Sequence, residues 1–423
     1  MLIKGDKRTI RAWTFYDWAN SVYPLVITSA IFPIFYENVT ESDLGGKVGI
    51  FGMTLSSSEL YSYTISLSFL LVSLVSPALS GIADYAGKKK RFMQIFCYLG
   101  AFSCAMLYFF DTSNMPLSLL WVMLASIGFN GSLVFYNAFL PEIAHVEDQD
   151  RVSARGFAMG YAGSALLLII NLVMLKVLEV DVRWCFVTVA VWWIAFAQIP
   201  FSVLPHNVFG HKPEGNLVMK GFRELWLVFK ETRTQPRLKR FLSSFFVYSM
   251  GVQTVMLMAV IFAKKEIQGL EDVDLIISIL LIQFLGVAGS FLFSKLSSLF
   301  GNLKALGVAI FIWIAVCAGT YLFVYTPVHF YIIAASVGLV MGGIQALSRS
   351  TYSKLLPEET EDHASYFSFY DVSEKIGIVI GTFLFGYIEH VTGSIRNSIL
   401  ALITYFVVGF ILLLTIPKSK NVR

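Results

Sequence analysis

Apolar runs alternate with short polar breaks along the whole chain. Twelve runs reach the length of about 20 residues needed to cross a bilayer. They cover 13–36, 59–80, 92–110, 117–140, 155–177, 183–204, 241–263, 273–294, 304–325, 328–348, 366–388 and 396–416. Inside several runs, polar or small residues recur at i, i+3, i+4 and i+7, which aligns them on one face of a helix. The pattern predicts an all-α polytopic membrane protein with twelve transmembrane helices.

The longest polar stretch runs from His206 to about Lys239, between the sixth and seventh runs. It divides the chain into residues 1–205, a linker at 206–238 and residues 239–423, the two flanking parts being pseudo-symmetric six-helix bundles. In the linker segment LVMKGFRELWLVFK, Val218, Phe222, Leu225 and Phe229 share one helical face, while Lys220, Arg223 and Lys230 lie mostly opposite. That pattern fits an amphipathic helix on an anionic leaflet, tethering the halves; a basic linker without fixed structure is the alternative. The halves also echo each other. Tyr136, Leu140, Pro141 and Glu142 match Tyr352, Leu356, Pro357 and Glu358 at a constant offset, and Gly87 and Lys90 match Gly301 and Lys304 more weakly. Related repeats are a common way to build transporters.

Composition agrees with the pattern: 56% of the 423 residues are hydrophobic, 14% are charged, and mean hydropathy is +0.69. Soluble domains carry about 25% charged residues. The first apolar run is too long for a cleavable leader and lacks a small-residue cleavage site. The net charge of +4 does not point to nucleic acid, because the cations follow the membrane. With the N-terminus inside, the tails and even-numbered loops hold 25 of the 32 Lys and Arg, the odd-numbered loops six, and Lys375 falls within a run. The positive-inside rule then puts both termini in the cytoplasm. Cys97, Cys104, Cys185 and Cys317 lack C-x-x-C spacing, and the six histidines lack ligand spacing, so neither a metal nor a cofactor is expected. No nucleophile elbow or phosphate loop is visible, and the chain does not read as an enzyme.

A carboxylate within hydrocarbon costs several kcal/mol unless it is paired or wetted. The runs and their first turns nevertheless contain Asp17, Arg349, Asp371, Glu374 and Lys375, read here as a gate or coupling set near the cytoplasmic mouth. Asp371 and Lys375 stand at i, i+4 and pair on one face. Asp17 is expected to meet Lys375 or Arg349. No charged residue is expected near the centre of a span.

The stretch GIADYAGKKKR resembles the signature between the second and third helices of the major facilitator superfamily. Gly81, Asp84, Gly87, Lys88 and Lys90 fill that pattern, with Arg91 beside them. Three further stretches narrow the resemblance: YDWANSVYPLVI, LPEIA followed by RVSARGFAMGYAG, and GGIQALSRSTYSKLLPE followed by SFYDVSEKIG. Together they are similar to the branch containing the autophagy-linked vacuolar amino-acid effluxers and their bacterial relatives.

The resemblance implies alternating access by two bundles, with the first, fourth, seventh and tenth helices around a central cavity. Asn20, Asn137, Gln253 and Gln345 lie on those helices and are candidate substrate contacts, with Tyr61 and Tyr161 from neighbouring spans; interhelical hydrogen bonding is the competing role. Gly156, Gly160, Gly163, Gly286 and Gly289 are expected to be close-packing contacts where the fifth and eighth helices meet. The resemblance also implies that Asp84 latches the cytoplasmic side through the backbone amides that start the eleventh helix, with Glu142 pairing to Lys90 or Arg91. The second-half counterpart has Ser298 in place of the acid and Lys295 in place of the first glycine, so the first latch is expected to dominate.

The expected activity is secondary active or facilitative transport, with export, of a small neutral or zwitterionic, amino-acid-like solute. A proton is the candidate coupling ion. An exporter of a lipophilic compound or drug is the alternative; a non-transporting receptor or assembly partner is the alternative of another class. The expected setting is the lipid bilayer of a bacterial inner membrane, with the chain a monomer.

Overall fold

The structure, a computed structural model, describes residues 3–50, 52–205, 217–357 and 360–417. The first span is not one rod. Helix α1 (Lys7–Asn20) passes into a π-wound segment, Tyr23–Ala30, and then into α2 (Phe32–Leu44). Pro24 and Pro33 stand in the first turns of the latter two pieces. Each removes an N–H from the helical ladder, and the winding between them closes with Ile31 N–H donating to the Val26 carbonyl, an i to i+5 bond of 3.0 Å. A short antiparallel hairpin, β1 (Lys47–Ile50) and β2 (Met53–Ser56), leads into α3 (Ser57–Ala86).

The first half continues with α4 (Lys89–Met106), α5 (Met115–Ala138), the short α6 (Leu140–Ile143), α7 (Gln149–Lys176) and α8 (Arg183–Val203). The linker contains α9 (Leu217–Thr234). The second half comprises α10 (Pro236–Glu266), α11 (Asp272–Phe300), α12 (Asn302–Phe323), α13 (Pro327–Leu355), α14 (His363–Thr392) and α15 (Ile395–Leu414). Among the described residues, eleven helical segments are long and apolar enough to span a membrane. The twelfth, α14, is equally long but carries Asp371, Glu374 and Lys375, and it packs among the others against α3, α5, α10 and α15.

Within each half, glycines bring helices together. Gly160 and Gly163 of α7 face Ser21 and Trp18 of α1. Gly338 of α13 meets the backbone of Ile282 on α11, and Gly289 of α11 meets Leu339 on α13. This corrects the expectation that these glycines join the two halves for Gly160, Gly163 and Gly289; Gly286 does face across, against the ring of Tyr161, and Gly156 faces Arg349 of α13 as well as Asp17. Contacts between the halves run through α7 with α11 and α13, and through α14 with α3 and α5.

The linker helix packs along α3, with Val228 and Thr232 buried and Phe229 stacked on Phe369 of α14 at 6.1 Å. Arg223 and Lys230 are exposed, as their side of the helix requires. The side chains of Val218, Lys220, Phe222 and Leu225 lie outside the described residues, as does Glu358 of the repeat.

Candidate functional site

Between the halves lies a cavity of about 280 Å³. Asn20 and Ser21 of the first span, Asn130 and Asn137 of α5, and Tyr161 and Ser164 of α7 form one wall. Gln253 of α10, Gln283 of α11, Gln345 of α13 and Glu374 with Lys375 of α14 form the other. Two hydrogen bonds cross it: Tyr161 Oη donates to Gln345 Oε1 at 2.6 Å, and Ser164 Oγ donates to Gln283 Oε1 at 3.1 Å. Asn20 Nδ2 is buried without a hydrogen-bond partner. Tyr61 does not line this cavity. One turn along α3 from Ile65, which does line the cavity, it joins an aromatic cluster with Phe32 and Tyr36, at ring separations of 6.1 and 5.5 Å.

The floor is an ion pair between the halves. Arg349 of α13 places Nη1 and Nη2 each 3.2 Å from Oδ2 of Asp17, and Tyr136 Oη donates to the same oxygen at 2.7 Å. Arg349 also donates to Ser153 Oγ and to the Ser153 carbonyl, both at 2.9 Å, and to Asn137 Oδ1 at 3.3 Å. Its guanidinium carbon lies 4.1 Å from the Phe157 ring centre and 4.9 Å from that of Trp13. A second-half arginine is thus caged by first-half side chains, and it is 3% exposed against 5% for Asp17. Charges this deep attract more strongly than at a surface, but their desolvation cost makes the pair dependent on every one of these contacts.

Gly156 makes room for the pair. A Cβ there would meet Arg349 Nη2 at 2.8 Å and Tyr136 Oη at 3.2 Å, as well as the Asp17 carboxylate. A Cβ there would push apart groups that are hydrogen-bonded to one another. Gly156→Ala is expected to lower stability by about 1–3 kcal/mol, as overpacking does, visible as an earlier thermal unfolding transition of the purified protein. An unchanged transition would contradict this packing.

A second charged group lies on α14. Lys375 Nζ is 3.3 Å from Asp371 Oδ1 and 3.1 Å from Glu374 Oε2, and Gln253 Nε2 donates to Glu374 Oε1 at 2.7 Å. Lys375 is therefore not the partner of Asp17. Because α14 begins at His363, Glu374 and Lys375 fall near the middle of the helix. This overturns the expectation of no charge near the centre of a span.

Two latches close the end of the molecule that carries both chain termini. In the first, Asp84, at the end of α3, accepts from the backbone N–H groups of Ala364 and Ser365 at 3.1 and 2.7 Å, and from Ser365 Oγ at 2.8 Å. A carboxylate at a helix N-terminus is favoured by unpaired N–H groups and the helix dipole. Gly87 ends α3 in the left-handed region, at φ 62°, which glycine adopts without strain. Gly81 is buried on α3. Lys88 precedes α4, whose first residue, Lys89, lies 3.1 Å from Asp84 Oδ1 and bonds Glu142; His363 Nδ1 is 3.1 Å from Glu142. Glu142 does not pair with Lys90 or Arg91. Successive residues of a helix point about 100° apart, so Lys90 turns to the Leu204 carbonyl at 2.7 Å and Arg91 faces outward.

The second latch keeps an acid, on the opposite partner. Asp150, in the first turn of α7, accepts from Ser297 Oγ at 2.8 Å, from Asn302 Nδ2 at 2.7 Å and from Lys354 Nζ at 2.7 Å. Ser298, the aligned counterpart of Asp84, is exposed, and among the described residues its hydroxyl bonds the Lys295 carbonyl alone. Sequence reasoning missed Lys89, His363, Asp150, Ser297, Asn302, Lys354 and Ser153. An acid in the first turn of α7, opposite the counterpart loop, was the one signal available.

Two helical bundles around a polar cavity, latched at one end, define a membrane transporter of the major facilitator type. The backbone matches FucP, a transporter of this superfamily, in its outward conformation with a TM-score of 0.71 over 98% of this chain and 99% of that one, at 14% identity. The proton:xylose symporter XylE matches with a TM-score of 0.72 over 98% and 96%, at 12% identity. By sequence the chain belongs to the family described as vacuole effluxer Atg22 like, whose family model matches residues 5–423. An uncharacterized MFS-type transporter of Bacillus subtilis, YxiO, is 33% identical over 99% of this chain and 97% of its own length. Autophagy-related protein 22 of Kluyveromyces lactis is 25% identical over 95% and 92%. The chain is a multi-pass integral membrane protein and a transporter of the MFS type.

Proposed function

We propose that this transporter exports a small neutral or zwitterionic, amino-acid-like solute by alternating access. The observation that carries the reading is the cavity lining. Asn20, Asn137, Gln253, Gln345 and Tyr161 offer amides and a hydroxyl, while both cations at the cavity, Arg349 and Lys375, are already engaged by carboxylates. Strongly anionic cargo, such as a phosphorylated sugar, calls for uncommitted Arg or Lys. The distribution of Lys and Arg supports cytoplasmic termini, so the latched side is the cytoplasmic one and the present state faces outward. Asp17 and Arg349 then form the gate that must part for cargo to enter from the cytoplasm, while Asp84 and Asp150 hold the latches beneath it. The effluxer family and the uncharacterized bacterial relative are compatible with a bacterial inner membrane.

A thermal-shift screen of the purified protein against a metabolite library, followed by counterflow in vesicles with each hit, tests the proposal. A ligand at 100 times its Kd stabilises the folded state by about 2.7 kcal/mol, so an amino acid that binds should raise the transition clearly. Stabilisation by lipophilic compounds alone would favour the drug-exporter reading. Binding without counterflow would favour a receptor.

A further inference from the structure

Two carboxylates on α14 share one ammonium. Asp371 and Glu374 both lie within 3.3 Å of Lys375, so the group holds one surplus negative charge inside the bundle. Asp371 is 5% exposed, and its Oδ2 is buried with no hydrogen-bond partner. A buried carboxylate oxygen left without a donor is costly.

The charged groups acting on Asp371 are Lys375 and Glu374 of its own helix. Among the described residues, α3, α5, α9, α10 and α15, which pack around α14, bring no further charged side chain to Asp371. From α10, Gln253 and Tyr248 face Glu374 instead, and from α3 the Phe69 ring lies 5.8 Å from Lys375 Nζ. Glu374 and Lys375 line the cavity, as does Tyr370; Asp371, the residue after Tyr370 on the helix, does not.

We propose that Asp371 is a proton-binding site linked to the cavity through Lys375 and Glu374. When Lys375 leans to Glu374, Asp371 takes a proton from solvent on Oδ2 and the group becomes neutral. When a cationic group on the cargo occupies Glu374, Lys375 serves Asp371 and that proton leaves to solvent. Two interacting carboxylates then titrate as a pair, and proton and cargo cation exclude each other, which is the logic of exchange across a membrane. The Asp17–Arg349 pair, balanced one to one, carries no surplus charge. This coupling rests on the transport reading above, but the proton site is testable without any cargo.

Infrared spectra of the purified full-length protein in D2O, taken between about pH 4 and pH 9, report the C=O band of a protonated carboxylic acid. A buried acid band that titrates in this range is expected in the parent chain. Asp371→Asn should remove it. Glu374→Gln, which leaves Lys375 to Asp371 alone, should also suppress it, and this variant decides the matter if Asp371→Asn fails to fold. No titrating acid band in the parent, a band that survives Asp371→Asn, or one unchanged by Glu374→Gln would overturn the proposal. So would a band lost with Asp17→Asn and kept in Asp371→Asn, since the proton would then belong to the gate. Failure of counterflow with a normal infrared result would instead strike the transport reading alone.

Discussion

Asp17→Lys abolishes transport, and adding Arg349→Asp restores part of it. That is the expected result of breaking and then reversing the charge pair under the cavity. In the single variant two cations face each other where Asp17 Oδ2 now receives both guanidinium nitrogens and the Tyr136 hydroxyl. Removing one partner of a buried pair costs about 3–5 kcal/mol, and placing a like charge there adds repulsion. The closed terminal side, which this pair helps to hold together with the latches and the packing of α7 on α11 and α13, would lose population. Rescue is expected to be partial, because a lysine lacks the planar fork that reaches Asp17, Asn137 and Ser153 together. Lys375→Asp in place of Arg349→Asp should rescue nothing, since Lys375 belongs to Asp371 and Glu374. Uptake or counterflow with the cargo found by screening, set against expression and monodispersity of each variant, gives the measurement. Equal rescue by both second changes would break the assignment of Arg349.

Asp84→Asn should populate the state open at the terminal side. The substitution keeps the shape of the side chain but removes the charge that faces two backbone N–H groups of α14 and Lys89. Hydrogen bonds to a charged group are worth about 1.5–3 kcal/mol, and each 1.4 kcal/mol is tenfold in an equilibrium. A shift of roughly tenfold to a hundredfold toward the open state follows. Asp150→Asn should act in the same direction but less, because its lysine partner is partly exposed and screened by water. Ser298→Ala should do nothing measurable. Distances between spin labels on the ends of α3 and α14 report the equilibrium directly. An unaltered distance distribution in Asp84→Asn would remove the latch.

The twelve spans and their helical character were legible because a membrane crossing needs length and apolarity, which any window of residues displays. α14 was legible for the same reason, but its start was not. On the run read at 366–388 Glu374 and Lys375 already stand nine and ten residues in, and the expectation placed them nearer the mouth than that spacing allows. The Asp84 latch could be anticipated from its signature, whereas the choice of Lys89 over Lys90 depends on where α4 begins its first turn after Gly87. Nothing in a lysine run marks that phase. Tyr61 illustrates a related limit, since one turn along the same face of α3 separates the cavity wall at Ile65 from an aromatic cluster. Asp150 was hidden for another reason. Its partners, Ser297, Asn302 and Lys354, come from the other half, and a pattern aligned position by position searches for an acid on the loop, not for one that has moved across to the helix it meets.

The broken winding of the first span has a consequence for what mutation can do to it. An α-helix advances about 100° per residue, and the Tyr23–Ala30 segment carries its bonds one residue further than α1 does. A wound-out turn of this kind holds a residue more than an α-helical turn, so a single deletion between the prolines can be absorbed by rewinding, whereas a single insertion would swing the Asp17 end by about 100° against the outer end. Length, in this stretch, is as much a functional property as identity.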